Sequence, residues 1–151
     1  MMAASPAPVY VEFRNDVYFN EILLNPVLDR SELEMNLLAV NYADAPREME
    51  LTAECSPFES KFYKSPSPSA PVTKTSLGRI TLAPGESNLK FSMKLKDPVP
   101  WDVDRPMLYH LRLFADGKNA GQERFGFRHF ETKNSQFLLN GHPVYLKGFN
   151  P

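Results

Sequence analysis

Met107-Leu108-Tyr109-His110-Leu111-Arg112-Leu113-Phe114-Ala115, followed by Asp116-Gly117-Lys118-Asn119, is the stretch that decides the fold. Side chains of an extended chain alternate between two faces, so Tyr109, Leu111 and Leu113 share one side and His110 turns away from it. The Asp-Gly pair then reverses the chain into a second extended run, Gly121 to Phe130. One face apolar, a tight turn, and no helical period: this is half of a sheet packed on something.

Upstream, the same grammar repeats. Val17 to Leu24 reads as a strand ending at Asn25-Pro26. Leu33 to Tyr42 follows, with Leu33, Met35, Leu37 and Ala39 on one face and Glu34 and Asn36 on the other. The turn Asn41 to Pro46 leads to Met49 to Cys55, where Met49, Leu51, Ala53 and Cys55 alternate with Glu50, Thr52 and Glu54. Gly78 to Leu82 and Asn88 to Leu95 flank an Ala83-Pro84-Gly85-Glu86 turn. About seven short strands at this spacing, with no internal repeat, predict an all-β, immunoglobulin-like β-sandwich of antiparallel strands. Tyr109, near the start of its strand, resembles the tyrosine corner of such sandwiches. Ser56 to Val72 is different in kind: four prolines among serines cannot sustain a ladder, so residues 56–72 read as a mobile loop.

Composition fits one folded domain. The chain has 151 residues, 42% hydrophobic and 23% charged, enough to build a core without metal or disulfide. A formal charge of -1 with scattered Lys and Arg lacks the concentrated basic face that phosphate neutralisation requires, so no nucleic-acid partner is expected. Runs such as Leu37-Leu38-Ala39-Val40 are too short to span a bilayer, and no membrane partner is expected. Met1-Met2-Ala3-Ala4-Ser5-Pro6-Ala7-Pro8 has neither the basic nor the apolar region of a signal peptide, and its doubled Met suggests a start placed ahead of an internal segment. The lone Cys55 leaves the compartment open.

Candidate chemistry is sparse. Cys55 closes an apolar strand face with no histidine near it in sequence, which favours a small core hydrophobe over a nucleophile. His110, His129 and His142 lie on separate elements and lack the close pairing of zinc ligands. Asp102 and Asp104, two residues apart between Pro100 and Pro106, read as turn residues satisfying their own backbone rather than as paired catalytic carboxylates. No phosphate loop or G-x-S-x-G elbow is present, and no cofactor is implied. Trp101 with Phe58, Phe62 and Tyr63 suits two roles: a stacking platform for a pyranose, or a cap on the sandwich against a neighbouring domain.

The succession of C-terminal motifs resembles glycoside hydrolase family 2, the β-galactosidases, β-glucuronidases and β-mannosidases. Trp101, Pro106, Leu108, Tyr109 and Phe125 to Arg128 match the Trp-loop-Pro-x-Leu-Tyr strand and Phe-Gly-Phe-Arg segment that end the family's immunoglobulin-like domain. Phe137, Leu139, Asn140, Gly141, Pro143, Leu146, Lys147, Gly148 and Asn150 match the following hairpin and first barrel strand, and Asn15-Asp16-Val17-Tyr18-Phe19 looks like the segment that enters the domain. Asn140-Gly141 between apolar runs is independently a strong hairpin signal, and Gly126 and Gly148 mark places where a side chain would obstruct packed backbone. Pro151 departs from the Arg-His-Glu that follows the Asn in many β-galactosidase-like members, which leaves the sugar open.

The resemblance implies a tail at residues 1–14, a sandwich at 15–133, and at 134–151 a hairpin with the first strand of a truncated TIM barrel. It implies a non-catalytic structural domain whose partners are the barrel and an N-terminal sandwich of a parent glycosidase. The family's catalytic glutamates would lie downstream, so no residue here inherits their role. A carbohydrate-binding module, or a fibronectin-like adhesion or spacer module, is the alternative. The spacer reading expects Phe137 to Asn150 to pair with the sandwich; the leading reading expects that segment to project from it or fray.

Overall fold

The computed structural model describes residues 16–58 and 72–146. Its strands are β1 (Val17–Val27), β2 (Glu32–Asn41), β3 (Arg47–Pro57), β4 (Thr73–Leu82), β5 (Gly85–Lys94), β6 (Tyr109–Ala115), β7 (Lys118–Phe125), β8 (Phe130–Lys133), β9 (Gln136–Leu139) and β10 (His142–Pro143). A single 3-10 turn, Leu28–Arg30, joins β1 to β2. Three antiparallel sheets form, ordered β1-β2-β5, β4-β3-β6-β7 and β10-β9-β8.

The first two sheets face each other across one core. Leu33, Met35 and Leu37 of β2 and Met93 of β5 meet Leu51, Ala53 and Cys55 of β3 and Leu111 and Leu113 of β6, all buried. Met93 apart, these are residues whose alternation marks them as inward-facing, so for β2, β3 and β6 the sequence pattern and the packing agree. The architecture is an immunoglobulin-like sandwich with the fourth strand paired to β3 rather than to β5. The sequence pattern left that choice of partner open.

Several strand boundaries differ from expectation. β1 runs through Asn25 and Pro26 to Val27, because β1 is an edge strand and proline's missing N–H interrupts no ladder there. β4 begins at Thr73 rather than Gly78: a bulge opposite Leu51 and Thr52 absorbs Leu77, and Gly78 at φ +92° supplies the backbone angle that lets pairing continue. The run expected from Gly121 to Phe130 starts at Lys118 and breaks after Phe125, and Phe130–Lys133 pairs instead with β9. Ser56 and Pro57 extend β3 against His110 and Tyr109; the remainder of the expected loop, residues 59–71, lies outside the described residues.

Two polar devices close the sandwich. Tyr109 is buried, and its hydroxyl accepts a hydrogen bond from the Val99 backbone N–H at 2.7 Å, ten residues upstream, as a tyrosine corner does. Asn41, also buried, donates through Nδ2 to the Ala45 and Leu82 carbonyls and accepts from the Ala43 N–H. It ties the β2–β3 turn to the end of β4 with every side-chain atom satisfied.

Candidate functional site

Trp101 is the sequence candidate that the fold places most informatively. It sits half-buried in the long β5–β6 connection, and its N–H donates to the Phe127 carbonyl at 2.7 Å. A Cβ added to Gly126 would lie 3.1 Å from the Trp101 Cβ and 3.3 Å from the Met107 carbonyl oxygen, so glycine is what permits this approach. The Arg128 guanidinium carbon stands 5.6 Å from the indole centroid. Behind it, Tyr109, Phe125 and Phe127 form a cluster with ring centroids 5.5–5.7 Å apart.

The same residue anchors the small third sheet. Asn140 Nδ2 donates to the Trp101 carbonyl at 2.9 Å, while Asn140 Oδ1 accepts from the His129 N–H at 3.0 Å. The Asn140 N–H in turn donates to the His129 carbonyl at 2.7 Å. Asn140 (φ +51°) and Gly141 (φ +81°) make the two-residue turn between β9 and β10 that the sequence predicts. A side chain chosen for its turn therefore also clamps the sheet to the sandwich, which no local signal could announce. A second such turn, Asn134-Ser135 with both φ positive, joins β8 to β9; Asn134 was its only sequence cue.

The third sheet stands on its own strands. Of its apolar residues Leu139 is buried, whereas Phe130 and Phe137, stacked at 5.7 Å, are 49% and 45% exposed, and Tyr145 and Leu146 beyond β10 are 83% and 56% exposed. The Phe137 to Leu146 stretch thus projects from the sandwich rather than adding to either of its sheets. Gly148 and Asn150 lie outside the described residues.

Phe58 joins a different surface. Its N–H donates to the Leu108 carbonyl at 2.8 Å, its ring meets His110 edge-on at 6.2 Å, and the Arg124 guanidinium carbon lies 4.8 Å from its centroid. Phe62 and Tyr63 lie outside the described residues, so the proposed four-aromatic platform is not assembled among the described ones. A cleft of about 400 Å³ runs between Leu24, Asn25 and Pro26 at the end of β1 and Trp101, Arg124 and Arg128.

The other candidates fall where their surroundings dictate. Cys55 is buried, and that burial pushes its thiol up to about 12, so no thiolate is available near neutral pH. Asp102 Oδ1 accepts from the Val103 N–H, and Asp102 and Arg105 exchange backbone hydrogen bonds, which makes this a self-satisfied turn. His110, His129 and His142 stay apart, and no group of three metal-ligating side chains occurs among the described residues.

The profile of glycosyl hydrolases family 2 matches residues 9–128. The chain belongs to that family. A β-glucuronidase of Streptococcus agalactiae is 42% identical over 59 residues, covering 36% of this chain and 10% of that protein. A β-galactosidase of Photobacterium profundum is 26% identical over 137 residues, covering 86% of this chain and 13% of that one. Among solved structures, the β-glucuronidase of Parabacteroides merdae superposes with a TM-score of 0.57 at 30% identity, over 88% of this chain and 16% of that one. The β-D-mannosidase of Dictyoglomus thermophilum superposes with a TM-score of 0.67 over 89% of this chain and 17% of that one, and at 22% identity it speaks to fold alone. The chain spans about a tenth of the length of these curated relatives, and corresponds to one domain of larger, multidomain glycosidases.

Proposed function

We propose that this domain is non-catalytic and serves a glycosidase by holding its catalytic barrel against the sandwich. The observation that carries this reading is the third sheet, fastened by Asn140 to Trp101 and His129 while presenting Phe130, Phe137, Tyr145 and Leu146 outward. A sheet with so little core of its own gains stability only when its apolar face is covered. Intramolecular contact with a barrel that follows the third sheet would cover that face, while an N-terminal sandwich would meet the domain at the Val17 end of β1.

The parent would hydrolyse O-glycosidic bonds; which sugar it accepts is set elsewhere. A carbohydrate-binding role for Trp101 is less favoured, because Arg128 lies over its ring and its backbone is spent on Phe127 and Asn140. The test is direct. The purified chain, incubated with aryl β-galactosides, β-glucuronides and β-mannosides, is expected to release no aglycone above the blank, and release proportional to chain concentration would overturn the proposal. In the polypeptide that carries the domain, Phe137→Ser with Tyr145→Ser is expected to uncouple unfolding of barrel and sandwich; an unchanged single transition would count against the supporting role.

A further inference from the structure

We infer that the cleft between the end of β1 and the Gly126 bend receives an acidic segment, Asp or Glu side chains, of a neighbouring domain in the same polypeptide. This rests on the supporting role proposed above and adds the chemistry of a second contact. Among the described residues no Asp or Glu lines the cleft, whereas Arg124 and Arg128 both do. Elsewhere Arg30, Arg47, Arg79 and Arg112 each face a carboxylate of this chain. Among the described residues the Arg105, Arg124 and Arg128 side chains form no ion pair with a carboxylate; the Arg124 backbone N–H donates to Glu123 Oε1 at 3.2 Å, and Arg105 closes the turn that follows Trp101.

These two arginines are held rather than loose. The Arg124 guanidinium carbon lies 4.8 Å from the Phe58 centroid and that of Arg128 5.6 Å from the Trp101 centroid, so an aromatic face holds each guanidinium, and a plane held on a ring can still donate from its edge. A planar guanidinium presents paired donors that match a carboxylate, and pre-fixed forks lose less freedom on pairing. The cleft also borders the attachment of the third sheet, because Trp101 lines it and accepts from Asn140. An adjoining domain that covers Phe137 and Tyr145 would pass beside it. An acidic saccharide offers the same carboxylate chemistry, but Arg128 already lies over one face of the indole on which it would stack.

The experiment compares the double charge reversal R124E/R128E in two settings, by calorimetry. In the polypeptide that carries the domain, the midpoint is expected to fall by roughly 4 °C. In the chain of residues 1–151 alone, the shift is expected to stay within about 1 °C. Equal losses in both settings, or none in either, would overturn the inference. Phe137→Ser with Tyr145→Ser, run in parallel, separates the two ideas: uncoupling there without an effect of R124E/R128E leaves the supporting role standing and removes the acidic contact, and no effect of either removes both. Trp101, the sole tryptophan, provides a last arm. Millimolar di- or trigalacturonate is expected to leave its fluorescence unchanged, and a saturable change abolished by R124E/R128E would assign the arginines to a saccharide instead.

Discussion

The sandwich and the third sheet are built from the same strand grammar, yet they solve the burial problem in opposite ways. In the sandwich each sheet covers the other, and β2, β3 and β6 turn Leu37, Leu51 and Leu111 into a shared interior with essentially no exposure. In the third sheet, strands of two to four residues bury Leu139 and leave a stacked phenylalanine pair half in water. The first closes on itself; the second is fastened by hydrogen bonds and leaves its apolar face exposed. The difference teaches where to look for function in a domain without reactive groups: at the apolar face its own chain leaves uncovered.

That contrast can be broken or sharpened by substitution. Leu111→Ala should have the largest effect, about 3 kcal/mol lost in urea unfolding of the chain, because a buried leucine in a packed inter-sheet core leaves a cavity. A loss under about 1 kcal/mol would mean the sandwich is less tightly closed than its burial indicates. Tyr109→Phe should cost about 2 kcal/mol, since it removes the acceptor for the Val99 N–H while leaving the ring stack in place.

Alkaline pH probes the same interior through Cys55. Its folded value is raised to about 12 from an ordinary 9, so the native state keeps a proton that the unfolded state gives up first. Stability should therefore be intact below about pH 9 and fall between 9 and 12, by about 1.4 kcal/mol per unit from this group. Comparing unfolding curves of the chain and of Cys55→Ala across that range isolates the slope; an identical slope in both would place the cause elsewhere.

Asn140→Ala should act on the third sheet alone. Loss of its amide bonds and a strained positive φ together predict about 1 kcal/mol of local destabilisation. Hydrogen exchange at Phe130 to Leu139 should accelerate several-fold while β2 and β6 amides stay protected. Acceleration throughout would show the two regions to be one cooperative unit. Phe137→Ser should be nearly silent in the chain by itself, within about 0.5 kcal/mol, because that ring is half-exposed already.

How much was legible beforehand depended on how local each feature is. The alternation at Leu33 to Ala39, Met49 to Cys55 and Tyr109 to Leu113 gave the core-facing residues correctly, as did the turns at Asp116-Gly117 and Asn140-Gly141. The Tyr109 corner was readable too, since its partner lies ten residues away on the adjoining connection. What escaped was β8. Its four residues follow β7 closely, and nothing local says that pairing stops after Phe125, that Phe127 still enters the core, and that the chain joins another sheet at Phe130. The bulge at Leu77 and the edge position of Pro26 were hidden for the same reason: each depends on what pairs alongside.

By itself the amino-acid sequence determined most of the sandwich strands, the inward faces of β2, β3 and β6, and the turns at Asp116-Gly117 and Asn140-Gly141, because a period of two and a positive φ are properties of a few neighbouring residues. Motif order alone also carried the family resemblance. Tertiary structure decided the rest: that β4 pairs with β3, that Asn140 reaches back 39 residues to Trp101, and that Arg124 and Arg128 share one cleft. Those are choices of partner across long separations. They are settled by which faces can be buried together, and no window of sequence contains both halves.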